Sequence, residues 1–182
     1  VDANQGWKVK EAISILNQLA QYDVQYCEEP IDRRNYPKLK KIRAKSKTKI
    51  MADESLFDHY DAKKLIKGKY CDLFNIKLGK SSGLYKALKI IESAERAKMD
   101  MQIGGFLESR IVVTANTHLA HTSSHIKYFD FDSPLLQKTN PILGGITYQK
   151  NWEVSLSDAP GLGLTVDEAF LQDCESILVN RD

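Results

Sequence analysis

The chain has 182 residues, enough for one sizeable domain, and 42% of them are hydrophobic, enough to bury a core. A formal charge of +2, from 26 Lys and Arg against 24 Asp and Glu, gives no argument for a nucleic-acid or membrane partner. No apolar run approaches the ~18 residues of a membrane-spanning helix, the start has no signal-peptide pattern, and Cys27, Cys71 and Cys174 are too scattered to read as anything but reduced thiols of a cytoplasmic protein.

Val1-Asp2 reads as the end of a strand and lacks an initiator Met, so the numbering is expected to begin inside a longer protein. Val9, Ala12, Ile13, Leu16 and Leu19 follow at helical spacing. Residues 24–28 form the second strand, stopped by Pro30, and a short basic helix near residues 36–44 leads to a third strand over 49–53. The Lys and Arg run from Lys38 to Lys49 reads as a solvated face. A helix over 61–67 should end at Gly68 as its C-cap, ahead of a fourth strand over 73–78. Helix 84–97 has the clearest amphipathic pattern, with Leu84, Ala87, Leu88, Ile91 and Ala94 on one face. A fifth strand over 101–106, a helix over 110–121 and a sixth strand over 126–131 complete the series. After Pro134, Pro and Gly punctuate short runs such as 146–149 and 152–156, which read as short strands or loops rather than a seventh unit; Trp7 and Trp152 are expected to pack.

Alternating strands and helices without hairpin signals predict a parallel α/β sheet. Asp2, Glu28 and Asp53 recur about every 25 residues, each closing an apolar run, which is the length a strand, helix and return loop consume. Three carboxylates then share one sheet edge, and oxygen ligands gathered in this way suit a hard cation such as Mg²⁺. Lys77 comes one similar step later, and strand alternation places Asn75 and Lys77 on one face with Phe74 and Ile76 on the other. Burial and a nearby cation would lower the pKa of Lys77 and make it a base; spacing alone equally allows a structural bridge from Lys77 to Asp53 or Glu54. Asp130 and Asp132 fall on one face by the same rule, aimed either at a cation or ammonium group or at a turn.

With no glycine-rich phosphate loop, and with reactive side chains at the C-terminal ends of many strands, the pattern favours a (β/α)₈ TIM-type barrel over a doubly wound sheet. A whole barrel needs about 250 residues, so a partial barrel of about six βα units, strands 3–8, is expected over residues 1–134. Residues 135–182 are expected to be a C-terminal tail returning toward an N-terminal capping domain. His118, His121 and His125 have a zinc-like spacing, but their helix should run away from the carboxylate edge.

Asp2-Ala3-Asn4, Cys27-Glu28-Glu29-Pro30, Ala52-Asp53-Glu54-Ser55, Asn75-Ile76-Lys77-Leu78-Gly79-Lys80-Ser81 and Phe106-Leu107-Glu108-Ser109 together resemble the muconate-lactonizing subgroup of the enolase superfamily. Asp130-Phe131-Asp132 resembles the Asp-x-Asp signature of its dipeptide epimerases, of the L-Ala-D/L-Glu kind. The resemblance implies an isomerase that moves a proton at the α-carbon of a dipeptide through a metal-stabilised enediolate. It implies that Asp2, Glu28 and Asp53 bind Mg²⁺, that Lys77 is the acid/base on one face, and that Asp130 and Asp132 grip the substrate ammonium. Glu54, Glu108 and Lys80 would support these groups without touching the metal, with Lys80 off the face of Lys77 in a surface or supporting place. The opposite-face Lys of a Lys-x-Lys motif would lie outside this chain. The same fold could instead serve an o-succinylbenzoate synthase, an N-acylamino-acid racemase or a cycloisomerase, or be an inactive truncated barrel. The exposed edge at the first strand offers a place for self-association.

Overall fold

The computed structural model of the chain describes residues 1–179. They form two compact units: residues 1–106 with 119–131, and residues 107–118 with the segment from Asp132 onward.

The first unit is built on five parallel strands in chain order, β1 (Tyr26–Glu28), β2 (Lys49–Ala52), β3 (Leu73–Ile76), β4 (Asp100–Ile103) and β5 (Ile126–Phe129). The predicted strand at Val1-Asp2 appears as a single parallel bridge from Asp2 to Glu28, flanked by Glu28 N–H to Val1 O (2.9 Å) and Ala3 N–H to Glu28 O (3.1 Å). The sheet curls, because side chains of distant strands meet across one face. Tyr26 of β1 donates its hydroxyl to Gln102 of β4 at 2.7 Å, and its ring lies 4.9 Å from that of Tyr128 in β5. Inward side chains from alternate strands filling the interior are the mark of a barrel wall. On the other face Cys27, Ile50, Phe74, Ile76 and Ile103 are buried.

The crossovers are α1 (Val9–Leu19), a 3₁₀ turn (Arg33–Lys38) leading into α2 (Leu39–Lys45), α3 (His59–Gly68), then α4 (Leu78–Ser81) with α5 (Leu84–Arg96), and α6 (Arg110–Ala120). Asp58 caps α3 by accepting from Tyr60 N–H and Asp61 N–H. The left-handed residue that ends α3 is Lys69 (φ 53°), not Gly68. Gly68 is needed for space: a Cβ there would lie 2.0 Å from the Tyr70 ring. In α5 the buried stripe is Ala87, Ile90, Ile91 and Ala94, an i, i+3, i+4, i+7 set facing α3, β3 and β4. Leu84 and Leu88, expected on that face, are exposed because Ile90 takes their place.

In the second unit α7 (Ser133–Leu136) precedes two antiparallel pairs. β6 (Ile142–Gly144) pairs with β9 (Leu164–Val166), and β7 (Thr147–Tyr148) with β8 (Val154–Ser155); α8 (Glu168–Gln172) follows. Trp152, expected to pack, is exposed at the turn between β7 and β8. Cys27, Cys71 and Cys174 are free thiols, and among the described residues no helix is long and apolar enough to cross a membrane.

Replacing Asp58 with Ala frees two N–H groups of α3 and should lower unfolding free energy by about 1 kcal/mol. The check is the urea midpoint, which should fall while the slope stays constant.

Candidate active site at the carboxyl edge of the sheet

Parallel strands end at one edge, and the chemistry-bearing residues of the first unit collect there. Glu28 closes β1, Asp53 follows β2, Asn75 lies in β3 and Lys77 just beyond it. Asn75 Nδ2 donates to Glu28 Oε1 at 2.6 Å, spanning the intervening β2 from inside the curl. Lys77 Nζ meets Asp53 Oδ2 at 2.7 Å, so the Lys–Asp bridge that the spacing allowed is present. The ammonium of Lys77 also lies 5.0 Å from the centre of the Phe106 ring, within cation–π range.

Lys80 is not a surface residue. It is buried, with its ammonium on Asp53 Oδ1, on Asp53 O (2.7 Å) and on Asn75 O (3.2 Å). Strand alternation ceases at Lys77, because Leu78–Ser81 is a helical turn that brings residue i+3 back to the same side. Asp53 is therefore clamped between two lysines.

Sequence reasoning passed over Glu29 as a neighbour of the expected ligand. Its fully buried carboxylate accepts from Asp53 N–H (2.8 Å), Ser55 N–H (3.0 Å) and Ser55 Oγ–H (2.5 Å), fixing the loop that presents Asp53. A carboxylate ending an apolar strand just before Pro30 was the available signal. Asp2 is exposed, with its side chain accepting from Asn4 N–H (2.8 Å) and Asn4 Nδ2 (2.7 Å).

The sixth expected strand stops at Phe129, although Asp130 N–H still bonds Ile103 O (3.0 Å). Asp132 has helical φ and ψ before α7, so period-two alternation does not run through Asp130 and Asp132. In the second unit Glu108 is buried, accepts from Asn116 Nδ2 at 3.2 Å, and gives its carbonyl to Gln137 at 2.7 Å.

Burial and the neighbouring carboxylates of Asp53 and Asp2 push Glu28 up to about 7, against the opposing pull of the Asn75 bond. Burial also raises Asp53, but Lys80 and Lys77 outweigh it and hold that carboxyl below its ordinary value. Burial works to lower Lys77, yet its bond to Asp53 and the field of Asp53, Glu28 and Glu54 win, so its pKa is raised. Burial thus acts in the expected direction, and without a cation the carboxylates outweigh it. For Lys80 burial prevails and the shift is downward.

Among the described residues, no three His, Cys, Asp or Glu side chains stand together as a ready-made metal shell. The donor chemistry still fits a hard cation: Glu28, Asp53 and Asp2 offer oxygens, and the buried Glu54 Oε2 and Asn75 Oδ1 have no hydrogen-bond partner.

The family described as Enolase C-terminal domain-like matches residues 1–170. The D-Ala-D/L-Ala epimerase of Cytophaga hutchinsonii is 46% identical over 180 residues, covering 99% of this chain and 49% of that protein. The L-Ala-D/L-Glu epimerase of Bacillus subtilis is 37% identical over 166 residues, covering 90% of this chain and 45% of that protein. Among solved structures, the Cytophaga hutchinsonii dipeptide epimerase complexed with Mg and D-Ala-L-Val superposes with a TM-score of 0.93 over 96% of this chain and 47% of that one. The chain belongs to the enolase superfamily, and its parallel α/β sheet is part of that superfamily's barrel. It spans about half the length of the relatives it matches.

Two outcomes follow from the buried carboxylates. Glu29→Ala strands three hydrogen-bond donors, and should lower unfolding free energy by roughly 3 kcal/mol in urea melts. Glu28 has a folded pKa above its unfolded value, so the folded state holds a proton that the unfolded chain has released. Its stabilising contribution is full below the unfolded pKa and is lost as pH rises through about 7. Stability of the protein relative to Glu28→Gln, measured by urea denaturation in a chelating buffer, should therefore fall from about pH 5 to about pH 7.5. A difference that stays flat over that range would contradict the assignment.

Proposed function

We propose that the full-length protein is an Mg²⁺-dependent dipeptide epimerase that removes and returns the α-proton of the C-terminal residue. The carrying observation is the edge on which Lys77 and Lys80 close on Asp53 beside Glu28. The dipeptide epimerases among the relatives support the substrate class.

In this reading Asp2, Glu28 and Asp53 hold the cation, while Glu29 and Lys80 keep Asp53 in place and Glu54 lends a further buried oxygen. Mg²⁺ when bound supplies positive charge against the negative charge that grows on the substrate carboxylate as the α-proton leaves. Lys77, within reach of Asp53 and against Phe106, takes the α-proton on one face, and the Lys-x-Lys lysine expected outside this chain returns one on the opposite face, the roles exchanging in the reverse direction. Its pKa is raised by Asp53 and Glu28. Neutralising those carboxylates removes that support and turns it toward the neutral, basic form. Asp130 and Asp132 receive the α-ammonium, and Glu108 is a supporting group. Residues 1–134 form the catalytic barrel portion in this proposal, and residues 135–182, of which 180–182 lie outside the described residues, a tail toward a capping domain.

Proton NMR in D₂O tests it, with the full-length protein, Mg²⁺ and a panel of L,L-dipeptides that includes Ala-Glu and Ala-Ala. The α-proton signal of the C-terminal residue should fade as the L,D-diastereomer grows. Lys77→Ala should slow exchange from one diastereomer by roughly 10³-fold and leave Mg²⁺ binding intact. Exchange of N-acylated amino acids with none of any dipeptide would instead assign the racemase reaction of the same superfamily.

A further inference from the structure

Gly104 follows β4 and is buried, with its N–H bonded to Ile76 O at 2.9 Å. A Cβ added there would lie 2.3 Å from Asn75 Oδ1 and 2.7 Å from Asn75 Nδ2, inside any real contact distance. Its φ is outside the left-handed region, so alanine is excluded by the Asn75 amide and not by the backbone.

Both backbones are held, and the Asn75 amide is held by its bond to Glu28. The hydrogen bond to Ile76 ties Gly104 to β3, and Asn75 is itself a β3 residue whose carbonyl accepts from Lys80. The Asn75 side chain, almost wholly buried, points Nδ2 at Glu28 Oε1 and leaves Oδ1 without a partner. A buried amide ordinarily satisfies both ends. Here one end is left open and the other fixes the rotation of a carboxylate.

We infer that Asn75 and Gly104 are a positioning pair for Glu28. The side chain missing at Gly104 makes the space in which the Asn75 amide lies while it donates to that carboxylate. Gly104 thereby governs cation affinity without touching cation or substrate. The inference rests on the reading of Glu28 and Asp53 as cation ligands, and it adds what holds one of them in register. Groups that orient metal ligands typically change metal affinity 10- to 100-fold when removed.

The test is a double-mutant cycle on the full-length protein, with Mn²⁺ as the probe and free Mn²⁺ read by electron paramagnetic resonance. Gly104→Ala and Asn75→Ala should each weaken Mn²⁺ binding about tenfold. Because Gly104→Ala acts only through the Asn75 amide, the double variant should bind like Asn75→Ala alone, with no further loss. Wild-type affinity in Gly104→Ala, or a double variant about a hundredfold weaker, overturns the inference. Should Gly104→Ala not fold, the comparison of Asn75→Ala with the double variant, in which the space is restored, decides alone: equal affinity supports the pair and a further loss overturns it. Asp53→Ala serves as the separate control. Unchanged Mn²⁺ affinity in that variant would remove the cation reading itself, whatever the cycle shows.

Discussion

The whole carboxyl edge depends on one crowded buried carboxylate. Asp53 sits between the ammonium groups of Lys77 and Lys80, with its backbone N–H held by Glu29 and with Glu28 close enough to be lifted by its charge. Buried charges persist only when paired and hydrogen-bonded, and each neighbour of Asp53 contributes to that condition. The rhythm of acids about 25 residues apart is the sequence-level trace of the same constraint, since each strand must end at this edge for the charges to meet.

Two lysines on one carboxylate also divide the labour. Lys80 bonds two backbone carbonyls as well as Asp53, which fixes its ammonium as part of the frame. Lys77 has Asp53 on one side and the Phe106 ring within cation–π range, and its side chain is the more exposed of the two. The group suited to exchange a proton is the one with fewer fixed partners. Its raised pKa shows that the carboxylates, rather than burial, set its protonation.

Much of this was legible beforehand. The order of strands and helices, the parallel sheet and the common edge of Glu28, Asp53 and Lys77 all follow from spacing, because a crossover has a nearly fixed length. Local chemistry was harder to read. Period-two alternation held through Lys77 but failed just after it and again beyond Phe129, where the chain turns helical, and so it misplaced Lys80 and could not relate Asp130 to Asp132. In α5 three of the five expected face residues are buried but the stripe is rotated, since Leu84 and Leu88 compete with Ile90 for one face and only packing chooses. Glu29 had a local signal before Pro30, but its role, like that of Gly104, lies in contacts across strands, with Ser55 and with Asn75, that no spacing along the chain encodes.

The most direct measurement is calorimetry of Mg²⁺ binding to the full-length protein near pH 7, repeated in buffers of different ionisation enthalpy so that released protons are counted. Metal binding requires deprotonated ligands. With Glu28 near 7, binding through its carboxylate should release about half a proton per site at that pH, and fewer as the pH rises. Binding with no proton release would contradict a Glu28 carboxyl that is half protonated before the cation arrives, and the absence of binding would contradict the cation site at this edge.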